Sequence, residues 1–121
     1  MRPLRGSLDA PRVATSWETA DIVPLFSALI ANMAALVEDH GAQFLVTLLY
    51  PEEWLTEELP EREGRARQAL ISSPMEVLDL RTTLAQGGPD LFLPDGHLTP
   101  QGHSLVAEAL RSRLLELVWV R

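Results

Sequence analysis

A chain of 121 residues, 46% hydrophobic and 22% charged, has the composition of one modest folded domain and not of a disordered tail. Its formal net charge of −7, from 17 acidic against 10 basic residues that are all arginine, disfavours binding to a phosphate backbone, where cations must displace counterions. The lack of cysteine excludes disulfides, thiolate chemistry and zinc-finger sites, and no apolar run is long enough to cross a membrane.

Residues 1–14 carry two prolines, a glycine and no periodicity, the pattern of a linker or frayed lead-in. Met1-Arg2-Pro3-Leu4-Arg5 has positive charge but no apolar stretch behind it, so no signal peptide is expected and the location is cytoplasmic by default. Thr15-Ser16-Trp17-Glu18 has capping-box spacing. Ile22, Phe26, Leu29, Ile30, Met33, Leu36 and Val37 then recur at helical intervals, with Pro24 either kinking the helix or delaying its start. Gly41 supplies a stop.

Gln43–Tyr50 is nearly continuous in apolar residues and closed by Pro51, which predicts a strand covered on both faces. Residues 52–64 are acidic and interrupted by Pro60 and Gly64, a surface loop or short helix, and Arg65–Ile71 fits a short helix. Met75–Leu80 is the second predicted strand, and residues 81–94 are expected to be loop. Thr99-Pro100 opens the last helix as an N-cap hydroxyl followed by a proline in the first turn, with Leu105, Val106, Ala109, Leu110, Leu114, Leu117 and Val118 on its inner face.

The order helix, strand, helix, strand, helix is that of an α/β protein with a short parallel sheet. Two strands are few for a sheet covered on both sides. The sequence therefore implies part of a larger sheet, completed either by self-association or by pairing with a missing N-terminal segment.

The residues richest in chemistry are Pro94-Asp95-Gly96-His97-Leu98-Thr99-Pro100-Gln101-Gly102-His103, a loop running into that last helix. An aspartate two residues before a histidine, on a turn eased by Gly96, can place its carboxylate at the imidazole Nδ1–H and leave Nε2 as a general base. A capping threonine flanked by solvent-facing histidines accounts for the same residues, and on composition alone both stand. Asp95, His97 and His103 are feasible metal ligands, yet all three come from one segment and His40 is remote, so neither a metal nor a cofactor is expected.

The stretch Asp95–Leu110 resembles the C-terminal block of SGNH/GDSL hydrolases, in which an Asp and a His precede a final helix of small and apolar residues. Ala31–Tyr50 and Val77-Leu78-Asp79-Leu80 resemble the family's upstream helix–strand unit and its short strand. The resemblance covers about residues 25–118. It implies a partial three-layer αβα fold, flavodoxin-like and SGNH-type, over residues 15–121. It also implies a serine hydrolase acting on ester bonds, either an esterase or an O-acyl or acetyl transferase, with His97 as base and Asp95 as its orienting acid. Asp-x-His replaces the usual Asp-x-x-His, a spacing similar to that of alginate O-acetylation proteins and related acyl-transfer enzymes. Small-molecule or carbohydrate esters are the substrates this implies, with no nucleic acid and no membrane span.

The family's N-terminal Gly-Asp-Ser block has no counterpart here. In Arg5-Gly6-Ser7-Leu8-Asp9 no strand precedes Ser7 and no Asp separates Gly from Ser, while Gly102-His103-Ser104 lacks the closing glycine of a nucleophile elbow because Val106 stands there. The alternative to a hydrolase is thus an inactive fragment or interaction module of the same fold. Glu52-Glu53 and Glu57-Glu58 are expected to be a solvated face. Trp17, Trp54 and Trp119 are too dispersed for a stacking platform.

Overall fold

The computed structural model describes residues 21–119, so Ser7, Trp17 and the Thr15–Glu18 capping box lie outside the described residues. Helix α1 spans Val23–Asp39. The Asp21 carboxylate accepts the Val23 N–H at 3.1 Å, and Pro24 falls within the first turn, where its missing N–H forfeits no intrahelical bond. A delayed start is therefore what Pro24 produces. At the other end Gly41 takes φ +76°, and the Ala42 N–H reaches back to the Val37 carbonyl at 3.1 Å, closing the helix with a left-handed residue.

Strands β1 (Leu45–Leu48) and β2 (Glu76–Asp79) pair in parallel, Leu45 opposite Glu76 and Leu48 opposite Asp79. Parallel neighbours need a crossover, supplied here by a 3-10 turn at Glu52–Trp54 and helix α2 at Glu61–Ile71. The molecule is thus a mixed helix-and-strand protein with a short two-stranded parallel sheet. Both strands are shorter than their apolar runs, and the expectation that they are covered on both faces is corrected. Every strand residue is only half-buried, since two strands leave each an unpaired edge and too few layers surround them.

The segment expected to be loop, residues 81–94, contains helix α3 (Arg81–Gln86) and a 3-10 turn at Pro89–Leu91. Tertiary anchors make this helix. Asp79 Oδ1 accepts the Arg81 N–H at 3.0 Å, and the Arg81 guanidinium donates to the carbonyl of Trp54 at 2.8 Å and to that of Glu57. Leu84 is buried beneath it.

Helix α4 spans Pro100–Glu116. Thr99 caps it as expected. Its Oγ1 accepts the Gly102 N–H at 3.1 Å and donates to the Asp90 carbonyl at 2.6 Å, tying the helix start to the preceding 3-10 turn. Toward the other end, Arg113 reaches Glu76 at the start of β2 at 2.9 Å.

Leu80, Leu84 and Leu91 form the central buried cluster, with Leu78, Phe92, Leu98, Leu105 and Val106 packed against it. Leu80 directly follows β2, Leu84 lies on α3 and Leu91 in the turn after it. The core is therefore built at the C-terminal end of β2 and holds the first half of α4 against that end. Ala34 of α1 and Leu70 of α2 bury a smaller contact between those two helices.

Candidate active site

Pro94, Asp95 and Gly96 form the loop of a tight hairpin. Phe92 bridges Leu98 in antiparallel fashion, the Leu93 N–H donates to the His97 carbonyl at 2.7 Å, and the Gly96 N–H donates to the Leu93 carbonyl at 2.9 Å. A turn with proline at its second position, followed by a residue of positive φ, is a favoured three-residue hairpin connection. Gly96, at φ +90°, is the residue type that this last position accepts without strain.

The turn places Asp95 and His97 on each other. Asp95 Oδ2 lies 3.0 Å from His97 Nδ1, and Asp95 Oδ1 accepts the His97 backbone N–H at 3.1 Å. The backbone N–H, and after it the imidazole, hold the Asp95 carboxyl below the usual aspartate range. Both side chains are largely exposed, so the contact is held by the turn and not by burial. With Nδ1 engaged, Nε2 is the nitrogen left to exchange a proton.

The pair lies on the wall of an open cleft of about 750 Å³ at the C-terminal end of β1. Beyond the carboxyl ends of parallel strands is where α/β sheets place their ligand sites. Leu49, Tyr50, Glu52 and Glu53 come from the segment after β1, Leu84 from α3, and Phe92 and Leu98 from the two sides of the hairpin. His103, in the first turn of α4, lines the same cleft and is itself exposed. The floor is apolar and the rim carries three carboxylates and two imidazoles.

Tyr50 is a second cleft residue whose surroundings perturb it. Its hydroxyl is buried without a well-formed hydrogen bond, beside the ion pair that Arg67 Nε makes with Asp79 Oδ2 at 2.7 Å. Burial, and next the Asp79 carboxylate, push its pKa up.

Other residues singled out in the sequence lie apart from this cleft. His40 closes α1, where its Nδ1 bonds the Leu36 carbonyl at 2.8 Å. Ser104 is exposed on α4 and does not line the cleft, and neither do Glu57 and Glu58. Among the described residues no serine, threonine or cysteine lines it. Among the described residues no group of three His, Cys, Asp or Glu side chains is arranged to hold a metal ion, and no helix is long and apolar enough to cross a membrane.

Sequence reasoning did not single out Tyr50, Leu84 or Phe92 as site residues. Tyr50 had a usable signal, since it directly follows a parallel strand. Leu84 sits in a helix that periodicity does not reveal.

No protein-family model matches the chain, and comparison with curated proteins and with solved structures finds no significant similarity.

Proposed function

We propose that this chain supplies the acid–base pair of an SGNH-type serine hydrolase acting on small acyl or acetyl esters. The observation that carries the proposal is the 3.0 Å contact between Asp95 Oδ2 and His97 Nδ1 at the wall of an open cleft. In the proposed reaction His97 Nε2 takes the proton of a serine hydroxyl as its oxygen attacks the ester carbonyl. The tetrahedral intermediate then collapses, and the same proton passes to the departing alkoxide. Water, or an acceptor alcohol in the case of acyl transfer, releases the acyl group by the same route. Asp95 holds the imidazole in the tautomer this requires.

Among the described residues the cleft holds no serine, so the serine is proposed to come from a segment outside the described residues or from another chain. The strand–helix order and the parallel pairing are consistent with the C-terminal part of a flavodoxin-like SGNH fold, whose remaining strands would extend the sheet. The lack of a serine in the cleft among the described residues equally favours a second reading, an interaction module of the same fold without turnover.

One assay separates the two. Hydrolysis of 4-nitrophenyl acetate is measured for the chain alone and for the chain co-expressed with the reading frame that precedes it, each as wild type and as His97→Ala. Turnover lost in His97→Ala is expected. Turnover indifferent to His97 refutes the acid–base assignment, and no turnover in either preparation refutes it and leaves the interaction module.

A further inference from the structure

The cleft that holds the Asp95–His97 pair has carboxylates with no arginine to balance them. Glu52, Glu53 and Asp95 line it, and among the described residues no arginine does. The arginines of the adjoining helices are committed elsewhere, Arg67 to Asp79 at 2.7 Å and Arg81 to the carbonyls of Trp54 and Glu57. Away from the cleft, Asp21, Glu76 and Asp79 each meet an arginine. Glu52 and Glu53 are exposed and form no ion pair with a described residue.

An acidic segment facing solvent needs no cavity behind it. Here there is one of about 750 Å³, a size usual for small-molecule sites, and its floor is apolar: Leu49, Tyr50, Leu84, Phe92 and Leu98. Leu49 is 55% exposed, so an apolar group seated there removes surface from water. Tyr50 and Phe92 add aromatic rings, whose faces attract cations. Tyr50, Glu52 and Glu53 line the cleft from one short segment, so ring and carboxylates are neighbours.

We infer that the cleft selects esters whose alcohol part is a compact organic cation, a protonated or quaternary amino alcohol, and rejects anionic esters. The inference rests on the reading of this cleft as an ester site and names its substrate class. An acetyl group fills only a small part of the cavity, so most of the space falls to the alcohol. Asp95 is held by His97, which leaves Glu52 and Glu53 as the carboxylates a ligand meets. An alkylated ammonium suits such a wall. Its methyl groups pack on the apolar floor while its charge is drawn to the ring faces and the carboxylates. A neutral ester of the same shape gains the floor alone. An anion would lie against three carboxylates with no arginine to pair it. The net charge of −7 acts the same way at longer range, drawing cations toward the chain.

The test uses three probes of one shape and different charge: choline, 3,3-dimethylbutanol and 3,3-dimethylbutanoate. Each is titrated into the isotope-labelled chain while the backbone amide resonances of Tyr50 and Phe92 are followed. Choline is expected to give saturable shifts, to bind about tenfold more tightly than the neutral alcohol, and to weaken as salt is added. The carboxylate should give none. Glu52→Gln with Glu53→Gln should bring choline and the alcohol to within about twofold of each other, without changing the far-ultraviolet circular dichroism. Equal binding of the three probes, tighter binding of the carboxylate, or no saturable shift with any of them overturns the inference. A choline preference that survives the double substitution overturns it too.

None of these readouts needs turnover, and choline binding should persist in His97→Ala. Ester hydrolysis without a charge preference would therefore overturn this inference and leave the hydrolase standing. A charge preference without hydrolysis would refute the hydrolase and leave the cleft's selection for cations.

Discussion

Two glycines inside helices make a paired prediction of opposite sign. Gly102 lies in the first turn of α4 and is buried. A Cβ there would run into the Leu91 carbonyl oxygen and come within 2.9 Å of Leu98 Cδ2 and 3.2 Å of Leu98 Cβ. Gly64 lies in α2, and a Cβ there would meet only Leu59 Cβ at 3.9 Å, an ordinary contact. Replacing a helical glycine by alanine gains about 1 kcal/mol of propensity at either site. At Gly102 overpacking costs about 1–3 kcal/mol, and the upper end applies because a backbone carbonyl cannot move aside as a rotamer does. Gly102→Ala is therefore expected to destabilise by about 2 kcal/mol, and Gly64→Ala to stabilise by about 0.5–1 kcal/mol.

For a domain of this size those values correspond to a fall in Tm of about 10 °C and a rise of about 3–5 °C. Thermal unfolding followed at 222 nm measures both. A Gly102→Ala chain as stable as wild type would refute the close approach of α4 to the turn that precedes the hairpin. A destabilised Gly64→Ala chain would refute the openness of that face of α2.

Val118 ends α4 at φ +60°, a left-handed conformation that a β-branched residue adopts only under strain, whereas the corresponding position after α1 holds Gly41. Val118→Gly should therefore raise stability by about 0.5–1 kcal/mol after the entropy cost of glycine, visible in urea unfolding; a loss would count against that end geometry. Tyr50 is the one tyrosine of the chain, so absorbance at 295 nm reports it alone. Its midpoint should lie above the ordinary value near ~10 and fall part of the way back in Asp79→Asn, with the share due to burial retained. Because the folded state holds this proton more tightly, the associated stability is fully present below the unfolded value and is lost as pH rises through the raised folded one. Asp95 has the opposite sign. Its side-chain carbon resonance should titrate below the ordinary aspartate range, and any contribution of the turn should persist above that range and vanish as pH falls through the lowered value. His97→Ala should keep most of the depression, because the backbone N–H that chiefly causes it remains.

The parts of the fold written into local pattern were legible. Periodicity located α1 and α4, the Thr99 cap sits where Thr-Pro announced it, and the two apolar runs contain both strands. Helix α3 was not legible, because within Arg81–Gln86 only Leu84 carries a core signal and the helix is held by Asp79, Trp54 and Glu57 from elsewhere. Strand coverage was overestimated for a related reason, since a run of apolar residues records what a strand can bury and not how many layers surround it. The Asp95–His97 contact was readable because everything that makes it lies within one turn. The cleft was not, because Tyr50 and Leu84 reach it from segments far apart in the chain.

That locality of the hairpin bears on how the pair can be used. Its hydrogen bonds run among Leu93, Asp95, Gly96 and His97, and none reaches the sheet. The pair is therefore a self-contained cassette, joined to the rest of the molecule through Phe92 and Leu98. Opening or rebuilding the sheet would change where the imidazole is aimed while leaving its tautomer and partner intact. In the proposed hydrolase, a unit of this kind would separate two tasks that a buried triad performs together: preparing the base, and delivering it to a hydroxyl.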